Sequence, residues 1–95
     1  MIRSNYLAVA TPLTRTRELV EVNLLSHSRI VREIENDYWR GFIIEVHADD
    51  RGTSVGTIAR NQADRLANAH FGIVRKPFES KHDAQAHLTQ SYDLG

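Results

Sequence analysis

The segment Trp39–His47, WRGFIIEVH, constrains the fold more than any other part of the chain. Phe42, Ile44 and Val46 recur at period two, and Trp39, Gly41, Ile43 and Glu45 occupy the alternate positions. Alternation at that period is the signature of a β-strand, whose successive side chains point to opposite faces. Apolar residues on both faces require an interior strand, covered on one side and partly covered on the other. The chain therefore needs a sheet. At 95 residues it has material for one core and one compact domain, residues 1–95.

The other elements follow from local pattern. Tyr6–Ala10 is a short apolar run stopped by Thr11-Pro12, and reads as a strand. Leu19–Leu25 places Val20, Val22 and Leu24 on one face at period two, which predicts a second strand. Ile30–Glu35 fits either a helical face or a strand; the Asn36-Asp37 turn and the strand beyond it favour the strand. From Ser54 to Phe71 the period changes. Val55, Ile58, Ala59, Gln62, Leu66 and Ala69 mark one face of a helix capped by Thr53 or Ser54 and stopped at Gly72. Ile73–Phe78 predicts a last strand, confined to an edge by Pro77. Ser80 with Asp83 forms a capping box, and Ala84, Leu88 and Tyr92 follow at helical spacing. The predicted architecture is α+β: a mainly antiparallel meander of about four to five strands, order β-β-β-β-α-β-α, with two helices packed on one face.

Composition narrows the function classes. Cysteine is absent, which excludes a disulfide scaffold, a zinc ribbon and a thiol enzyme. Twelve Lys+Arg offset twelve Asp+Glu, so a strongly basic nucleic-acid binder is disfavoured. No stretch resembles a signal peptide or a membrane span, and the expected location is cytoplasmic. Arginine outnumbers lysine ten to two, a bias that fits a GC-rich bacterial or viral genome.

The reactive residue types form no expected catalytic constellation. His82 and His87 are five apart, not the four that place two ligands on one helical face. His47 precedes Asp49 and Asp50, a cluster that suits turn chemistry better than a cation. Ser26, Ser28, Ser54 and Ser80 read as turn or cap residues, so no nucleophile triad is expected. Gly52-Thr53-Ser54-Val55-Gly56-Thr57 has one residue too few between its glycines for a phosphate loop, and it lacks the lysine. No metal, no cofactor and no enzymatic activity are expected.

What remains is a binding surface. Tyr38, Trp39 and Arg40 are consecutive, and these residue types dominate interface hot spots. Two alternatives stand for Trp39: a core residue, or part of an exposed patch on the second sheet face, with Gly41 leaving room for a partner group. Arg32, together with the Arg75-Lys76 pair, adds cations. The expected function is a small non-enzymatic protein-binding module: an adaptor, an inhibitor or a self-associating accessory protein, a profile that suits phage or mobile-element origin. Its candidate binding residues are Tyr38, Trp39, Arg40, Arg32, Arg75 and Lys76. A homodimer is expected through the 6–10 strand edge or the Tyr38/Trp39 surface. The alternatives are a nucleic-acid-binding domain using a sheet face and basic edge, and a small-ligand domain or enzyme subunit.

Overall fold

The computed structural model describes residues 4–48, 51–68, 72–73 and 76–95. The chain runs β1 (Ser4–Pro12), α1 (Arg17–Glu21), β2 (Ser28–Glu35), β3 (Trp39–His47), α2 (Val55–Asn68), β4 (Gly72–Ile73) and α3 (Lys81–Tyr92). The sheet order is β2-β3-β1-β4, antiparallel throughout. The α+β class holds, but the meander of four to five strands with two helices on one face does not. Among the described residues there are three full strands and a two-residue fourth, the element after β1 is a helix, and β1 inserts between β3 and β4.

β3 is interior, as its two apolar faces demand. It pairs with β1 from Ser4↔His47 to Pro12↔Trp39, and with β2 on its other edge. Phe42, Ile43 and Ile44 are all fully buried. On one face Leu7, Val9, Phe42, Ile44 and Val46 pack against Ile58, Ala59, Ala63 and Leu66 of α2. On the other face Ala8, Ala10 and Ile43 pack against Ala84 and Leu88 of α3, and against Leu94. The two long helices thus sandwich the sheet. They could not share a face, because β1 and β3 are apolar on both sides and each face must lose its contact with water.

The expected strand at 19–25 is replaced by α1 and the turn after it. Its apparent period-two face contains Val20 and Leu24, which are also an i, i+4 pair. The helical turn buries Val20, brings Leu24 against the core and leaves Val22 67% exposed. A salt bridge between Arg17 and Glu21, one turn apart, supports it at 2.7 Å. The backbone beyond α1 is satisfied by Gln62, a fully buried polar residue of α2. Gln62 Oε1 accepts from Leu25 N at 2.7 Å, and Gln62 Nε2 donates to Asn23 O at 2.9 Å.

Ile30–Glu35 lies within β2, with a bulge between Ile30 and Arg32. Ser54 caps α2: its Oγ accepts from Thr57 N at 3.2 Å. Ser80 Oγ accepts from Asp83 N at 3.1 Å and so begins α3. Of the expected strand at 73–78, Ile73 pairs with Val9 and Phe78 makes a separate bridge with Tyr6. The proposed helix stop near Gly72 involves residues 69–71, which lie outside the described residues.

α3 ends in a left-handed turn at Asp93, φ 57°. Leu94 N then donates to Leu88 O at 3.2 Å, an arrangement that closes the helix and returns Leu94 to the sheet. Leu94 fills the space above Gly41, where an added Cβ would lie 2.5 Å from Leu94 Cδ1. Gly41 is therefore a close-approach glycine for the chain's own leucine, and the room it leaves is already occupied.

Two stability outcomes follow from these contacts. Gln62→Leu leaves Leu25 N and Asn23 O unpaired and should cost about 2 kcal/mol or more in urea denaturation. Gly41→Ala should cost about 1–3 kcal/mol by overpacking. Combined with Leu94→Ala, it should cost clearly less than the sum of the two single changes, because the clash and its partner disappear together.

Candidate functional site

The sequence-predicted binding residues do not form one patch. Tyr38 and Trp39, adjacent in sequence, diverge at the β2–β3 turn. Tyr38 is 77% exposed. Trp39 is half-buried, and its ring meets Tyr92 of α3 edge-on at 5.1 Å between centroids. The second sheet face therefore has a helix above it, and Trp39 belongs to the packing under that helix.

Arg40 faces inward to its own chain. Its Nε lies 3.0 Å from Glu35 Oε1 and 3.7 Å from Glu33 Oε1, and its Nη1 donates to Arg15 O at 3.3 Å. Arg17 reaches the same Glu33 at 2.8 Å. The Arg40 fork thus ties β2, β3 and the β1–α1 loop together instead of waiting at a rim. Arg32 is exposed within β2. Lys76 is exposed near the far end of the sheet, beside Asn5 and Ala48. Arg75 lies outside the described residues, as do Asp49 and Asp50 of the His47 cluster. Among the described residues no group of three or more His, Asp or Glu could hold a metal ion.

The turn itself is tightly held. Asn36 Oδ1 accepts from Tyr38 N at 2.9 Å and from Trp39 N at 2.8 Å. Its Nδ2 donates to Tyr92 O at 2.7 Å and Asp93 O at 3.1 Å. Leu13 N donates to Tyr38 O at 3.3 Å. Asparagine readily mimics a backbone turn in this way, and here it also binds the C-terminus of α3. Tyr38 is presented on a frame fixed from three directions.

The opposite end of β3 carries a second polar constellation, built on Ser4, a serine with no local motif around it. Ser4 and His47 are direct partners in the β1–β3 register, as are Tyr6 and Glu45. Ser4 Oγ lies 3.0 Å from His47 Nδ1, and His47 Nε2 lies 2.7 Å from Glu45 Oε1. Tyr6 Oη donates to Glu45 Oε2 at 3.1 Å, and Arg29 Nε donates to Oε1 at 2.9 Å. Burial works to raise the Glu45 pKa. The hydrogen bonds from Tyr6 and Arg29 and the positive charge of His47 and Arg29 outweigh it, holding the carboxyl below its ordinary value. Burial and the Glu45 carboxylate push the Tyr6 phenol up, so it stays a donor. The signal in sequence was slight: Ser4 and His47 are 43 positions apart, and only the strand register aligns them.

Beside this constellation the start of α2 borders an open cleft of about 540 Å³, lined in part by Asn5, Ser54, Arg60, Lys76 and Glu79. A smaller recess of about 280 Å³ adjoins it, lined by Ser4, Asn5, Val55 and Glu79. No helix among the described residues is long and apolar enough to cross a membrane. Comparison of the chain with protein-family models, with curated proteins and with solved structures finds no match.

The lowered Glu45 pKa has a defined stability signature. The stabilisation is fully present above the unfolded value near 4.5 and is lost as pH falls through the lower folded value. The stability difference between the wild type and Glu45→Gln, measured by denaturant unfolding, should therefore be constant at neutral pH. It should shrink progressively once pH drops below about 4.5.

Proposed function

We propose that the protein acts as a small protein-binding module, an adaptor, inhibitor or self-associating accessory protein, that uses the β2–β3 turn as its contact point. The observation that carries this reading is the presentation of Tyr38. It is the most exposed large apolar side chain among the described residues, and Asn36 fixes the backbone beneath it. A tyrosine offers a large amphipathic contact area at the cost of two side-chain torsions. A frame that is rigid before binding adds little ordering cost on association.

Leu19, 41% exposed, and Val22 on the α1 segment supply further apolar surface. The Arg17–Glu33 bridge couples that segment to the same hairpin. Self-association through the 6–10 strand is dropped from this proposal: β1 is hydrogen-bonded on both edges, to β3 on one side and to β4 and Phe78 on the other. The surface around Tyr38 is the remaining self-contact of the two expected.

The nucleic-acid reading gains less support. Arg40 is engaged by two glutamates, and Lys76 stands at the other end of the sheet from Tyr38. A single-strand platform needs aromatic rings and free cations on one surface.

Immobilised wild-type protein and the Tyr38→Ala variant, compared for partner capture and then for affinity, test the proposal. Tyr38→Ala should weaken binding by roughly 30-fold or more while leaving the melting temperature unchanged. Light scattering at high concentration tests the self-associating form with the same pair of proteins. Full partner affinity in Tyr38→Ala would move the contact away from the turn. Binding that persists in Tyr38→Ala but collapses with added salt would favour the nucleic-acid alternative.

A further inference from the structure

The Ser4, His47 and Glu45 side chains form a relay with the order that nucleophilic catalysis requires: hydroxyl, imidazole, carboxylate. We infer that Ser4 is an activated nucleophile, open to acylation by a small carboxylic ester. This site is at the opposite end of β3 from Tyr38, so it stands or falls independently of the binding surface.

The contacts set the roles of the two ring nitrogens. An ionised carboxylate accepts only, so the 2.7 Å contact to Glu45 Oε1 places the imidazole proton on His47 Nε2. In the neutral imidazole His47 Nδ1 then carries the lone pair, 3.0 Å from Ser4 Oγ, and can accept the hydroxyl proton. Glu45 is itself held by Tyr6 and Arg29, so the carboxylate orients the ring and does not compete for the proton. Its side chain is 13% exposed, whereas His47 is 36% exposed. The orienting group is thus covered and the base is reachable. A nucleophile and base within hydrogen-bond reach, with the base oriented by a third group, is the general signature of an activated hydroxyl.

Ser4 also borders the recess of about 280 Å³, whose other lining residues are Asn5, Val55 and Glu79. In the step proposed, Ser4 Oγ bonds to the ester carbonyl carbon as its proton passes to His47 Nδ1. The carbonyl electron pair moves to oxygen and then re-forms the double bond. The alkoxide departs, taking the proton back from His47 as an alcohol. Water, deprotonated by the same nitrogen, then releases the carboxylic acid and regenerates Ser4.

Two measurements test the relay. The wild-type protein incubated with p-nitrophenyl acetate should carry an acetyl group on Ser4, located by mass spectrometry after digestion. The label should be absent from a Ser4→Ala control and reduced at least ~tenfold in His47→Gln. Because the chain has no cysteine, Ser4→Cys introduces a single thiol. Its alkylation by iodoacetamide at pH 6 should be at least ~tenfold faster than in Ser4→Cys/His47→Gln, since a neighbouring imidazolium lowers a thiol pKa. Circular dichroism on each variant separates loss of activation from loss of fold. Failure of folded wild type to acylate at Ser4 overturns the proposal. Equal thiol reactivity with and without His47, in folded variants, overturns it as well.

Discussion

Everything in this fold depends on the pairing of β1 with β3. Nine register pairs join the two strands, and both of their faces are apolar. A two-stranded ribbon with two apolar faces cannot stand in water, so each face has to recruit a helix. α2 closes one face with isoleucine, alanine and leucine. α3 closes the other with Ala84 and Leu88, and the chain beyond it adds Leu94. Small residues at Ala8, Ala10 and Gly41 let the second helical layer approach closely. That is why the contact of Leu94 with Gly41 is tight enough to exclude a methyl group.

Polar side chains then lock the irregular segments onto this frame. Gln62 satisfies the backbone after α1 from inside the core, and Asn36 satisfies both the hairpin turn and the end of α3. Buried or half-buried amides used in this way are specific, because a misplaced backbone group would leave a donor or acceptor without a partner. The consequence for function is rigidity at the hairpin. Tyr38 stands on a turn that is bonded to its own hairpin, to α3 and to the β1–α1 loop.

The two ends of β3 differ in chemistry. At its start, Trp39 and Tyr92 pack edge to face, and Arg40 is consumed by Glu33 and Glu35, leaving Tyr38 as the outward group. At its end, Glu45 and His47 meet Tyr6 and Ser4 across the β1 register, and Arg29 joins from β2. The first end offers an aromatic anchor to a surface. The second offers a hydrogen-bonded relay beside a recess. Neither depends on the other, since several buried pairs of the sheet separate them.

Local pattern in the sequence determined the interior strand at 39–47, the helix beginning at 54–55, the capped helix after Ser80 and the turn at Asn36. In each case the signal lies within one element: a hydrophobic period, a cap or a turn residue. It also marked Tyr38 as a residue of interest. Tertiary structure decided the rest. Residues 19–25 read as a strand because Val20 and Leu24 satisfy both periods, and only the core position of α2, with Gln62 at hand, favours the helical turn. The two helices read as neighbours because periodicity tells which residues are apolar, not which sheet face each helix covers. Trp39 read either as core or as an exposed patch, because nothing local announces that α3 ends above it. Ser4, His47 and Glu45 were silent in sequence for the same reason. Their proximity is a property of antiparallel register, which is set by long-range burial of both strands and not by any residue near them in the chain.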